Sequence, residues 1–569
     1  MGQSQNNLTD YLFGGHCAGE LRIGVLLDSL TSAPRYIRRI LDDIVGFNRL
    51  KLVIAVGIGA DERTNYPAKQ RLRARQWERL WKSNLSYDEQ SDPTHRVNIF
   101  DITDQIPERL TGSLRSVDFP EDVENSVACS CKAAHLDVLL CLGTSLPVGE
   151  LIKCARYGAW SLHFGDSDVY RGEPPFFWEM YEGSLIIGAV LRVLTTRHEE
   201  YKVIYKSYSA LHAYSLQANR HRVYWKASAF VLRKLKELIE DGVKALEPIS
   251  ATSAGSPRTF SAPDPLRALK FGVSVRWTKL LHEFEHKHWG PRWYIAYANH
   301  GIGRYEFKTI EPPRGRLYAD PFIVTEGDCD YIFFENDSFI DGKGIISCVK
   351  IDRNGNASRP VTVLEETFHL SYPCVFKHDK QFYMIPETMD SGSIRLYRCE
   401  KFPDVWKLDR ILIHNIGALD PTVCEYDGKY WLFANVPEKG ASWDDELHVF
   451  YADSLASEWK SHPKNPIISD VRRARPAGNL FIQNGQLYRV SQNCTPRYGY
   501  SINVLKVEEL NTKAYRETLV EEIVPSWLPG KSRCTHTLNS NSRYVVTDGC
   551  TLSPKTVSGR FLPVGLFAI

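Results

Sequence analysis

Two folds in one chain are what this sequence predicts: a multidomain α/β plus all-β protein, with a doubly wound parallel sheet followed by a five-bladed β-propeller. Three observations carry the prediction. Near-continuous apolar strands alternate with helical stretches up to Gly242, the pattern of a parallel sheet covered on both faces. A stretch dense in Ser, Ala, Thr and Pro then interrupts the chain between Glu247 and Pro265. Beyond it, one strand motif restarts five times.

Residues 1–20 form a polar tail with no basic segment leading into an apolar one, so no secretory leader is expected. The α/β domain is expected over 21–243. Its first strand is LRIGVLL at 21–27, ending on Asp28. A helix is predicted over 34–44, where Pro34 follows Thr31 and Ser32 and suits a first turn. Apolar strands recur at 50–57, 97–100 and 137–142, with a polar, Arg-rich helical stretch after Gly57. A helix ending near Lys153 leads to a strand at 159–163 that finishes on His163. Val223, Val231, Leu235 and Leu238 mark one face of a helix that closes the domain near Gly242. Residues 244–268 read as a linker, too poor in apolar surface to offset ordering entropy. The remainder, 269–569, is a lead-in helix and the propeller.

Each restart places a small or polar residue and usually a proline at the head of an apolar strand. The heads are Ala319-Asp320-Pro321-Phe322, Ser371-Tyr372-Pro373-Cys374, Leu419-Asp420-Pro421-Thr422, Arg475-Pro476-Ala477-Gly478 and, more loosely, Cys534-Thr535-His536-Thr537. A second strand rich in aromatic and β-branched residues follows each, as in Tyr331-Ile332-Phe333-Phe334 and Tyr430-Trp431-Leu432-Phe433. A spacing of roughly 50 residues between such units is that of propeller blades. A propeller gathers its first strands around one axis, so Asp320, Tyr372, Asp420, Arg475 and His536 are expected to converge there. Turn chemistry alone also places Asp-Pro at a strand head.

Composition sets bounds. A chain of 569 residues is too long for one core. A net charge of +2 gives no general pull toward nucleic acid or an anionic surface. Cys129 and Cys131 are the one close pair among 13 cysteines, without a His/Cys cluster of zinc spacing. Reduced thiols, no metal and a cytoplasmic address are therefore expected. No segment approaches 18 consecutive apolar residues, so no membrane span is expected.

The segment Ser161-Leu162-His163-Phe164-Gly165-Asp166 followed by Arg171-Gly172-Glu173-Pro174-Pro175 resembles the N-formyltransferases that act on methionyl-tRNA, glycinamide ribonucleotide and amino sugars. Those enzymes carry Asn-x-His at a strand end, then Arg-Gly-x-x-Pro and a helix. Leu146-Pro147 and the strand from Gly188 to Leu194 resemble further landmarks of that family, whose sheet is Rossmann-like. The resemblance implies formyl transfer from 10-formyltetrahydrofolate to an amine, in which His163 moves the proton and donors hold the oxyanion. It also assigns Ser161 to the family's Asn, Glu199 to its later Asp, and substrate contacts to Arg171 and Gly172. Asp166, three residues past His163, is the candidate to orient the imidazole.

In the second half, Asp320-Pro321-Phe322, His369-Leu370-Ser371-Tyr372-Pro373, Ile385-Pro386-Glu387-Thr388 and Arg475-Pro476-Ala477-Gly478 resemble the propeller region of plant transferases that glycosylate inositol phosphorylceramide. They are similar, more loosely, to five-bladed arabinanases and invertases, whose paired carboxylates cleave glycosides. That likeness implies Asp320, Glu335, Glu387 and Asp420 as axial acids, with Tyr372, Trp431 and Trp443 as sugar-stacking aromatics and Arg475 as a further contact. The expected function is formylation of an amino sugar or glycoconjugate, with the propeller binding the acceptor. The alternative is a carbohydrate-active or glycan-binding propeller beside a degenerate formyltransferase domain.

Overall fold

The structure, a computed structural model, describes residues 19–58, 91–111, 121–143, 146–147, 149–172, 174–195, 201–249, 258–300, 305–339 and 342–555. The chain divides into two units. One spans 1–279 with 438–441, the other 280–437 with 442–569.

The first unit is built on a seven-stranded sheet. From one edge the order is Tyr201–Ala210, Ile186–Leu194, Ala159–Phe164, Val138–Cys141, Leu21–Leu27, Leu50–Gly57 and Glu108–Thr111. The last five are mutually parallel. The strand from Ile186 to Leu194 runs antiparallel to its neighbours on both sides, so the sheet is not wholly parallel as the sequence pattern implied. The connection between Leu194 and Tyr201 is too short for a crossover, which leaves an antiparallel hairpin. Apolar side chains fill both faces. Leu21, Ile23, Val25 and Leu27 pack with Ile37, Ile40, Leu41 and Ile44 and with Val223, Phe230, Val231 and Leu235 on one side. Leu26, Ile54, Leu139 and Cys141 pack with Val127, Ala128 and Cys131 on the other. This alternation along Leu21–Leu27 is why an uninterrupted apolar strand reads as doubly covered.

Local chemistry sets the boundaries. The first helix is Arg35–Val45, with Pro34 immediately before it. The closing helix, Leu216–Asp241, starts where Ser215 accepts a hydrogen bond from the Ala218 N–H and stops at Gly242, whose φ of +61° suits glycine. The strand expected at 97–100 is shorter, Arg96–Asn98, and Phe100–Thr103 turns into a helix instead. The Arg-rich stretch after Gly57 lies outside the described residues. The linker is partly built into the fold. Arg258–Phe260 pairs in parallel with Tyr170–Gly172, and Phe260 stacks on Trp178 at 4.7 Å. One aromatic ring there supplies the burial that the surrounding small residues lack. A helix then runs over Pro265–His288.

The second unit is a five-bladed propeller of four-stranded sheets. Four blades follow the chain: Arg316–Leu364, Ser371–His414, Leu419–Ser461 and Phe481–Ile523, each an up-and-down antiparallel sheet. The fifth is shared between the two ends of the unit. Leu538–Ser540 and Tyr544–Pro554 supply its inner strands, while Trp289–Asn299 and Lys308–Ile310 supply the outer two. Trp289–Asn299 pairs with Tyr544–Pro554 along its whole length. The ring therefore begins at Trp289, ahead of the first Asp-Pro head, and pairing between the two ends of the unit closes it.

Candidate functional site

The five motif heads meet where the propeller's inner strands meet, and three of them share one backbone device. Asp320, Tyr372 and Asp420 have φ of +53°, +42° and +51°. Each sits at a bulge, where the register slips between Ala319 and Phe322, Ser371 and Cys374, and Leu419 and Thr422. The following proline carries no N–H, so the ladder loses nothing when the strand bulges there. A non-glycine residue in this conformation costs about 1–3 kcal/mol. The surroundings hold it. The Asp320 N–H donates to Asp548 Oδ2 at 3.1 Å and the Asp420 N–H to Glu387 Oε2 at 3.2 Å. In both cases an acid on the second strand of the preceding blade anchors the bulge of the next.

Around the axis these groups form a buried charged network. Arg475 Nε lies 2.6 Å from Asp420 Oδ2, its Nη1 3.0 Å from Asp444 Oδ1 and its Nη2 3.9 Å from Glu387 Oε2. Gln492 donates to Asp420 Oδ2 at 3.1 Å, and the Arg475 guanidinium lies 4.9 Å from the Tyr498 ring centroid. Asp420 is 2% exposed and Arg475 8%, whereas the Asp444 side chain keeps 23% of its surface. Asp444 and the half-buried Tyr498 thus carry the network outward to solvent. Burial, with Asp420 beside it, holds Glu387 well above the usual carboxylate range. Glu387 can therefore keep a proton beside the Asp420–Arg475 ion pair, as a general acid must.

A second cluster joins the first blade to the last. His536 Nδ1 is 2.6 Å from Asp548 Oδ2, an ionic contact rather than an aligned hydrogen bond, and its Nε2 is 3.5 Å from Asp320 Oδ1. The ring lies 4.2 Å from that of Trp293. Burial opposes a charge on His536, yet Asp548 and Asp320 outweigh it and lift the imidazole to about 9. Burial likewise pushes Asp320 up to about 7, against the pull of His536. Asp320, His536 and Asp548 form one set whose ligand atoms are close enough to share a cation, and Glu335, Asp337 and His369 form another. In the second set the Gly344 N–H donates to His369 Nδ1 at 2.9 Å. That bond leaves the neutral ring's proton on Nε2, 3.3 Å from Glu335 Oε1, so Nε2 faces Glu335 as a donor and not as a metal ligand.

Two of the aromatics expected to stack on sugars offer no open face. Tyr372 is fully buried, its hydroxyl taking the Gly478 N–H at 2.6 Å and lying 2.8 Å from Thr422 Oγ1. Trp431 is 2% exposed and donates to the Tyr426 carbonyl. Both are packing residues. Trp443, 38% exposed and adjacent to Asp444 in sequence, keeps a free face.

In the α/β unit, His163 is the penultimate residue of the strand Ala159–Phe164, at its carboxyl end. Its Nε2 lies 3.4 Å from the Tyr170 carbonyl, which can only accept, so Nδ1 is the ring's acceptor. Burial and the nearby Arg192 push the imidazole down to about 4. The other expected members are committed to different partners. Ser161 takes the Arg192 Nε–H at 3.3 Å and donates to the Leu162 carbonyl. Asp166 does not orient His163: Lys206 Nζ lies 2.8 Å from its Oδ1, and Tyr208 donates to its Oδ2 at 2.9 Å. The same Lys206 is 2.7 Å from Asp168 Oδ2, a pairing that a buried ammonium requires. Arg171 donates to the Ser167 carbonyl and lies over the Tyr201 ring, and Gly172 ends the short strand that pairs with Arg258–Phe260. Glu199 lies outside the described residues.

The motif heads point to half of the axis, the hydrolase likeness adds Glu335 and Glu387, and Asn435 and Gln492 were missed. All four lie in the last half of the second strands of blades one to four, and all are buried. The signal was present: Phe333-Phe334-Glu335, Ile385-Pro386-Glu387, Phe433-Ala434-Asn435 and Ser491-Gln492 each end an apolar run on a carboxyl or an amide. Asp444, Tyr498 and Asp548 had no such signal, because they come from loops or from the shared blade.

The architecture defines a class: an α/β unit followed by a five-bladed propeller with a charged axis. Within the propeller, residues 310–541 match the family described as glucosamine inositolphosphorylceramide transferase 1, N-terminal. The chain is 37% identical over 218 residues to glucosamine inositolphosphorylceramide transferase 1 of Arabidopsis thaliana, a match that covers 38% of this chain and 28% of that relative. The corresponding protein of Oryza sativa subsp. japonica is 36% identical over 206 residues, covering 36% of this chain and again 28% of the relative. The chain thus spans little more than a quarter of these relatives' length. Among solved structures, a family 117 glycoside hydrolase from Zobellia galactanivorans overlaps 45% of this chain and 90% of its own at 8% identity and a TM-score of 0.32.

Proposed function

We propose that the propeller is a carbohydrate-directed module, and that a sugar or sugar-bearing lipid headgroup binds at the open edge of the axial network formed by Asp444, Arg475, Tyr498 and Trp443. One observation carries this reading. Strained bulges from separate blades bring carboxyl groups and an arginine together in a region that matches a family named for glucosamine and inositolphosphorylceramide. A charged group buried for stability alone has no need of such strain, since an ion pair in a core is often no better than apolar residues of the same volume. At the edge, Asp444 accepts from sugar hydroxyls and the exposed Trp443 offers a stacking face.

Glycosidic chemistry and recognition are separated by substituting the acids. Asp320→Asn and Glu387→Gln are assayed for binding to a glucosamine-linked inositol phosphate and for turnover of aryl glycosides. Loss of turnover by 10²-fold or more with retained binding makes the axis a catalytic centre (about the worth of an acid–base group). Retained binding with no turnover in any form makes it a recognition site. No binding of that headgroup or of a glycan panel by the folded wild-type chain contradicts the reading.

Formyl transfer, which the N-terminal resemblance implies, has one observation in its favour: an acceptor Nδ1 on a neutral His163 at the sheet's carboxyl edge. The residues around it do not complete the set that 10-formyltetrahydrofolate chemistry needs. Ser161 and Asp166 are held by Arg192 and Lys206, so no transfer step is derived. A stable 10-formyltetrahydrofolate analogue at 100 times its Kd should raise stability by about 2.7 kcal/mol if the unit binds folate, and no shift at saturation excludes this reading.

A further inference from the structure

The helix Pro265–His288 buries one narrow side, Ala268, Phe271 and Val275, which recur at three- and four-residue steps. Its opposite side is also apolar and is open. Leu266, Leu269, Val273, Trp277, Leu280 and Phe284 follow the same steps and are 59–76% exposed. A continuous apolar stripe this exposed marks a surface that something covers. Charge identifies what. On a 3.6-residue wheel Arg276 and Lys287 fall along one border of the stripe, and Lys270 along the other; all three are exposed. The helix holds five Lys and Arg against Glu283 and Glu285, and Glu285 is paired with Arg533 at 2.6 Å.

We infer that this helix is a membrane-interface element, which lays its Leu, Val, Trp and Phe stripe into an anionic lipid surface while its bordering Lys and Arg meet the headgroups. The chemistry is that of amphipathic helices lying in the interfacial plane. No described helix is long and apolar enough to cross a membrane, so the helix lies along the surface. A second copy of the chain is the worse occupant, because a symmetric pairing through the stripe sets Lys and Arg borders against one another. The net charge of +2 hid this patch by averaging it with the rest of the chain. The inference is independent of what the propeller binds.

The test is co-sedimentation of the full chain with phosphatidylcholine vesicles, with and without phosphatidylserine. Binding is expected with phosphatidylserine only, weakening as salt rises. Arg276→Gln and Lys287→Gln should each weaken it about fivefold, and the double variant Trp277→Glu, Phe284→Glu should abolish it. Both aromatic side chains are exposed, so unchanged melting of the double variant separates lost docking from lost folding. A folded chain that ignores both vesicles overturns the inference, as does equal binding to both. So does a wild-type dimer by light scattering that the double variant converts to a monomer.

Discussion

Asp320, Tyr372 and Asp420 show how a single residue can look like turn punctuation and still be part of a site. Each is followed by proline, and a residue before proline is disfavoured in the right-handed helical region. Nothing in that rule predicts a left-handed backbone, because the bulge is imposed by acids such as Asp548 and Glu387 from the neighbouring blade. The convergence of the heads was legible in the repeat; the partners that hold them were not. Histidines give the sharpest prediction at this scale. His163 is lowered to about 4 in the fold, so below an unfolded value near 6.5 the unfolded state binds the extra proton, and stability falls between about pH 6.5 and 4. His536 is raised to about 9, so its contribution is complete below about pH 6.5 and is lost as pH rises through 9. Calorimetry across pH 4 to 10 should show opposite slopes in the two regimes. His163→Gln should lessen the acid-side loss of the α/β unit, and His536→Gln the alkaline-side loss of the propeller, which His369, also lifted to about 9 by Glu335 against its burial, shares. Acid sensitivity undiminished in His163→Gln would place it on another group.

Elements were read well where apolar periodicity is strong and poorly where one residue decides. The strand at Leu21–Leu27 follows from an apolar run of strand length, and the helix at Leu216–Asp241 from a sustained 3.6-residue periodicity. Arg258–Phe260 was read as linker because Phe260 stands alone among small residues, yet its stack on Trp178 orders the segment. In the fourth blade, Arg489 and Glu517 form a buried pair at 2.8 Å, both essentially inaccessible to water, with the Tyr515 hydroxyl also on Glu517. Glu517→Ala leaves that guanidinium unpaired and should cost about 3–5 kcal/mol. The double change Arg489→Met, Glu517→Leu should recover most of it, since apolar residues of similar volume replace such pairs with little loss. The propeller transition in a denaturant or calorimetric experiment reads both, and a harmless Glu517→Ala would show that the pair is hydrated.

On the scale of the molecule, the ring closes through strands that lie far apart in sequence, Trp289–Asn299 against Tyr544–Pro554. No local pattern announces that pairing, which is why the repeat gives the number of blades but not the strands that close the ring. The site depends on neighbouring blades instead. Asp444 comes from a loop of blade three, and Arg475 and Tyr498 from the head and a loop of blade four, so the packing of one blade on the next assembles them. The central claim is that sugar recognition occurs at this edge of the axis, and hydrogen exchange measured on the full chain with and without a glucosamine-linked inositol phosphate tests it most directly. Slowed exchange confined to the peptides around Asp444 and Gly478 and those around Tyr498 is the predicted result. Protection confined to the strand end at His163 and the loop behind it, or no protection at a concentration that saturates binding, would contradict it.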